Sequence, residues 1–245
     1  YNVVVGDEAG TALTTGDSIV AVGFEALSTE DTRGSSTAIG YRALKVQNAG
    51  AEAYNVAVGV DAGLGLTTAT SSTLVGAFAG GGGALTGASN TAVGRNAGYT
   101  LTSGVENTLI GGLAGDALTD ADDNVAVGYL ALSTDTKGSF SVAIGRRALL
   151  TQNFTTSTDA LNVAVGANAG AAVTTGTNNT LIGTSSGDAL TDADFNVALG
   201  SFALSADTLG SRSVAIGYTA LSVQNFTTAT DSNNVAVGNA AGAAV

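Results

Sequence analysis

The side chains best able to do chemistry in this chain are two groups of aspartates. Asp116, Asp120, Asp122 and Asp123 form one, and Asp188, Asp192 and Asp194 the other. Carboxylate oxygens gathered in a tight loop are ligands for Ca²⁺, and a carboxylate pair such as Asp122 and Asp123 is the equipment of glycoside cleavage. Neither chemistry is favoured here. The glycine-and-aspartate nonapeptide of calcium-binding β-rolls is missing, and Asp is an ordinary turn residue. The groups also recur with an internal repeat, whereas an active site is normally one singular constellation. His and Cys are absent, which removes the usual Ser or Cys triad and thiolate metal sites. The chain therefore reads as non-enzymatic, with no metal and no cofactor.

Aromatic and basic residues offer recognition instead. Tyr41, Arg42, Tyr129, Arg146, Arg147, Phe202 and Tyr218 all stand in the first two positions after a recurring glycine, as do Phe24, Glu25, Asp61, Phe78 and Arg95. Stacked copies would align them into an outer ridge. Such a ridge can be a solvated face, a seam between subunits or a stripe that contacts a receptor. Phe154 and Phe226 sit at matching places in two insertions, 151–162 and 223–234, which should bulge outward as loops. An exposed loop aromatic suits a sugar; a Phe folded back on its own rung is structural.

The elements that must carry these residues are read from a short phrase. Val-Ala-Val-Gly or a close variant occurs fourteen times, ending at Gly6, Gly23, Gly40, Gly59, Gly76, Gly94, Gly111, Gly128, Gly145, Gly166, Gly183, Gly200, Gly217 and Gly238. Most copies are 17 residues apart, with one spacing of 18, one of 19 and two of 21. Alternation of large, small and large residues predicts a short strand, with Val56 and Val58 on one face and Ala57 on the other. Seventeen residues are too few for a domain. They suffice for one rung of a solenoid: strand, turn, second short strand and loop. Columns of Val, Ile and Leu are expected to merge into one continuous core. Rungs about 4.8 Å apart would make fourteen span roughly 60–65 Å.

A longer repeat overlies the short one: residues 107–173 align without gaps to 179–245. The array thus divides into less regular rungs at 1–89, four-rung super-repeats at 90–161 and 162–233, and the start of another at 234–245. A run of glycines, Gly80 to Gly83, reads as a degenerated loop. No polar cap is evident at either end, so further rungs are expected beyond both.

Composition narrows the partners. The net charge is −12 with only eight Lys and Arg, which argues against nucleic acid. Residues 62–94 carry no charge but are small rather than large and apolar, so no membrane-inserted helix is expected. Close packing of small side chains is the better reading of that stretch.

Asn55-Val-Ala-Val-Gly59, Ser141-Val-Ala-Ile-Gly145 and Ser213-Val-Ala-Ile-Gly217 resemble the head repeats of trimeric autotransporter adhesins, the YadA-like family. Asn178-Asn-Thr-Leu-Ile-Gly183 and its relatives are also similar to repeats of bacteriophage tail fibres. The resemblance spans essentially the whole chain, although rungs here are longer than the family's roughly fourteen residues. It implies an all-β parallel β-roll, left-handed, assembled as a homotrimeric fibre on a virion tail or bacterial surface, holding a distal part in attachment to a host. Ala and Gly at fixed positions would let three backbones approach closely. Two other readings are a glycan-binding module using the ridge or the Phe loops, and a monomeric ice- or polysaccharide-binding solenoid. The last would want a regular Thr array, and pairs such as Thr14-Thr15 and Thr174-Thr175 do not persist through every rung.

Overall fold

The computed structural model describes residues 1–32 and 34–243. Among the described residues there are strands, turns and bends but no helix, and the strands build a parallel β-solenoid of about fourteen turns. Two compact units compose it, Tyr1–Asp123 and Asn124–Val245.

The first unit holds seven strands: β1 (Val3–Val5), β2 (Val20–Val22), β3 (Thr37–Ile39), β4 (Val56–Val58), β5 (Thr73–Val75), β6 (Thr91–Val93) and β7 (Thr108–Ile110). Each pairs in parallel with the next, phrase upon phrase, as in Val20↔Thr37, Ala21↔Ala38 and Val22↔Ile39. The second unit runs β8 (Val125–Val127), β9 (Gly138–Ser139), β10 (Val142–Ile144), β11 (Thr158–Asp159), β12 (Val163–Val165), β13 (Thr180–Ile182), β14 (Val197–Leu199), β15 (Gly210–Ser211), β16 (Val214–Ile216), β17 (Thr230–Asp231) and β18 (Val235–Val237). Its seven three-residue strands stack in the same way. Among the described residues the expected second strand of the rung appears only at the two 21-residue rungs and the rungs before them, where β9 pairs with β11 and β15 with β17. Elsewhere turns complete the rung, tied to the next one by bonds such as Gly10 N–H to Ala26 O, 2.9 Å.

The motif glycine closes each strand because nothing else fits. Its φ lies between 130° and 140°, and a Cβ on Gly94 would stand 2.5 Å from the carbonyl oxygen of Gly111 in the next rung. Three further corners have positive φ: the residues five before, two after and four after that glycine, as at Ser89, Asn96 and Gly98.

The core is not the one the alternation suggested. In β2 to β18 the middle residue of every three-residue strand is buried, Ala in most and Leu at Leu74, Leu109 and Leu181. The flanking Val, Thr and Ile face outward, with Ile39 40 %, Ile110 39 % and Leu199 44 % exposed. Each of these strands thus turns one side chain inward, its middle residue whether Ala or Leu, and the flanking pair outward. Leucines from the turns fill the remaining interior.

Those leucines obey a rule of two rung types. In five rungs whose fourth residue after the motif glycine is Gly, the seventh is a buried Leu or Val: Leu66, Leu101, Leu118, Val173 and Leu190. In the first rung Leu13 is half-buried, and in the rung of Gly80 the seventh is Gly83 and Leu85 is buried instead. The seventh side chain occupies the space that the Gly leaves: a Cβ on Gly98 would come within 2.8 Å of Leu101 and 2.9 Å of Leu109. Where the fourth residue is Leu (Leu27, Leu44, Leu132, Leu149, Leu204 and Leu221), it takes that volume itself. The seventh is then Glu30, Gln47, Asp135, Gln152, Asp207 or Gln224. Interiors are close-packed, so only one of the two positions can be large and apolar.

Candidate functional site

The ridge is set by one of the positive-φ corners. The second residue after the motif glycine has φ from 51° to 62° in all fourteen rungs, a conformation that costs an ordinary side chain about 1–2 kcal/mol. Inter-rung bonds hold it: the backbone N–H of Arg42 donates to Phe24 O at 2.8 Å, and that of Phe202 to Thr184 O at 3.0 Å. Several side chains at this corner and at the residue before it fan away from the core. Tyr41 is 45 %, Tyr129 51 %, Phe202 42 % and Tyr218 59 % exposed, while Asp61 at an equivalent corner is buried.

Contacts join some ridge residues and not others. Phe24 stacks on Tyr41, centroids 5.4 Å apart and planes 13° from parallel. The Arg42 guanidinium lies 4.9 Å from the Tyr41 centroid and grips Asp61 through two bonds of 2.9 and 2.8 Å. That bond to Asp61 raises the Arg42 pKa further and keeps the guanidinium charged. Lys45 pairs with Glu25 at 2.7 Å. Phe202 meets Tyr218 edge to face at 6.3 Å. Tyr129, Arg146 and Arg147 occupy neighbouring rungs, with no ion pair or ring contact among them in the described residues. The Nε of Arg147 is buried and has no acceptor.

The two insertions do not bulge freely. β11 and β17 stitch them to the preceding rung, and Phe154 folds inward to 6 % exposure. Its ring lies on Gly138, where a Cβ would stand 2.7 Å from Cδ2 of Phe154; Phe226 does the same over Gly210. Phe154 is thus a packing residue rather than a surface contact, and Phe226 is half-buried.

The acidic groups serve the rung before them. Asp122 Oδ1 accepts the Val105 N–H at 2.8 Å and Asp194 Oδ1 the Thr177 N–H at 2.7 Å. No three acidic side chains converge on a metal position among the described residues. Burial pushes the Asp116 and Asp188 carboxyls above their ordinary pKa, with a Ser185 hydrogen bond partly offsetting this at Asp188.

Sequence reasoning missed the interior polar ladder. The residue four before the motif glycine is Asn or Ser in every rung except Ile19. Asn90 Nδ2 donates to Gly104 O at 2.8 Å, and its Oδ1 accepts the Asn107 N–H at 3.0 Å. Asn162 repeats this with Gly176 O and the Asn179 N–H, at 2.7 and 2.9 Å. Each such Asn therefore satisfies both amide atoms on the next rung.

A clamp interrupts the ladder wherever two Leu-type rungs adjoin. Buried Asp135 accepts Gln152 Nε2 at 2.6 Å, and through Oδ1 the backbone N–H groups of Gly138 and Phe154 at 3.1 and 3.0 Å. Gln152 also donates to Ser141 Oγ at 3.0 Å and accepts from Asn162 Nδ2 at 2.9 Å. Asp207, Ser213, Gln224 and Asn234 build the same arrangement, as do Glu30, Ser36, Gln47 and Asn55. The signal was available in the sequence: an acid and then a Gln stand seven residues after the motif glycine in successive Leu-type rungs, and the rungs that carry the Gln are the three longest.

Comparison with protein-family models, curated proteins and solved structures returns no match.

Proposed function

We propose that this chain is a length of extracellular attachment fibre, on a phage tail or a bacterial surface, in which three copies pack side by side as a rigid spacer. The outward strand face carries this reading. Its two columns consist of Val, Thr and Ile with Leu199 the one exception, part-exposed and free of charge on a chain of net charge −12. In each unit, a charge-free face of Val, Thr and Ile on an acidic protein calls for a partner, and a second copy of the same face is self-complementary under cyclic symmetry. The close approach assigned to Ala and Gly thus passes to Val and Ile, because the strand alanines point into the roll.

Val interrupts the Thr column at β2, β4 and most of the second unit, so the ice-binding reading is not favoured. Sedimentation equilibrium tests the proposal: a mass of three times 23.7 kDa is expected, and a stable monomer at micromolar concentration would sink it.

A further inference from the structure

Two aromatic–arginine clusters lie on or beside the ridge of the first unit, and they differ in one respect. Around Tyr41, the cations Arg42 and Lys45 are answered by Asp61 and Glu25. Around Tyr99 the cluster is incomplete. Phe78 and Tyr99 meet edge to face, centroids 6.5 Å apart and planes at 79°. With Arg95 and Asn96 they line a cleft of about 260 Å³. Arg95 has no ion pair among the described residues, and the Asn96 Oδ1 meets no protein donor.

The glycine run that read as a degenerated loop is what seats this cleft. A Cβ on Gly82 would stand 2.5 Å from Tyr99 Cζ, so the ring rests directly on bare backbone. The Gly82 N–H donates to Tyr99 O at 2.8 Å. This is also the one rung of 18 residues, and its added length lies in the glycine ledge.

We propose that the Phe78–Arg95–Asn96–Tyr99 cleft is a subsite for one neutral pyranose ring. Two aromatic rings at right angles offer a face and an edge to the C–H groups of a sugar. A guanidinium without a carboxylate partner presents a planar fork of donors to adjacent hydroxyls, and an amide supplies both a donor and an acceptor. The volume lies below the roughly 300–1,000 Å³ of sites that hold larger ligands, which fits a single ring. A neutral sugar is indicated because the chain is strongly acidic and the next rung brings Asp116 beside Thr100, whose N–H donates to Asp116 O at 3.1 Å.

Saturation-transfer NMR on the full 245-residue chain, with methyl glycosides of glucose, galactose and mannose, tests this. Transfer to ring protons of at least one glycoside is expected, with a millimolar Kd. Tyr99→Ala and Arg95→Gln should each weaken it at least about fivefold, and Tyr99→Phe and Tyr41→Ala should preserve it. Arg95 is exposed, so its variant reads binding without a folding defect. No transfer from any neutral glycoside, transfer from only a sialic acid glycoside, or binding that survives Arg95→Gln would each overturn the proposal.

Discussion

Asp135 shows how much one buried side chain decides. A carboxylate only accepts, so it forces Gln152 to point Nε2 toward it and Oε1 toward Asn162. Asp135→Asn sets an amide donor against either Gln152 or the backbone N–H groups of Gly138 and Phe154. A buried mismatch of this kind costs about 1–3 kcal/mol. Exchanging the pair, Asp135→Asn with Gln152→Glu, restores a donor opposite every acceptor at constant charge. The urea midpoint should fall in the single variant and return most of the way in the double; equal loss in both would refute the clamp. Asp116 behaves in the opposite sense from most carboxylates. Its folded pKa is raised by burial, so the folded state holds its proton more tightly than the unfolded chain. Stability from this group is present below the unfolded value and is lost as pH rises through the folded pKa. Asp116→Asn should therefore raise the melting temperature at pH 7, with the difference shrinking toward pH 4.

At the level of the rung, sequence and structure agree on spacing and disagree on direction. Period, strand position and turn were legible because a two-residue alternation ending in Gly leaves little choice. Which face turned inward was not: alternation marks two faces without naming the core, and hydrophobicity favoured Val56 over Ala57. Only the closed rung, in which the strand's middle residue turns inward, settles it. The Phe154 position was illegible for a related reason, since its pocket exists only because Gly138 in the preceding rung has no side chain. Position-specific glycines give a direct measurement. Gly94→Ala meets Gly111 O at 2.5 Å with φ at 135°, and should cost about 3 kcal/mol or more. Gly50→Ala, at φ 65° with no atom within 4 Å of the new Cβ, should cost about 1 kcal/mol. Comparable losses in thermal melts of the two variants would contradict the stacked-glycine account.

For the assembled molecule, the outward Val, Thr and Ile columns make a separable prediction. Ile144, at 38 % exposure, lies on the face proposed to meet other copies, while Ala143 beneath it belongs to the core. Ile144→Lys should leave the circular dichroism of the roll intact and shift the sedimenting mass to 23.7 kDa. A trimer that tolerates the lysine would move the interface elsewhere. The Asn ladder carries a different consequence. Because Asn90 and Asn162 spend both amide atoms on the rung that follows, a rung is finished only when its C-terminal neighbour arrives. The partner always lies about one rung away along the chain, 17 residues for Asn90 to Asn107, so the search for it does not lengthen as the array grows. A chain that emerges N-terminus first would thus wind like a ratchet, each newly made rung locking the one made just before it.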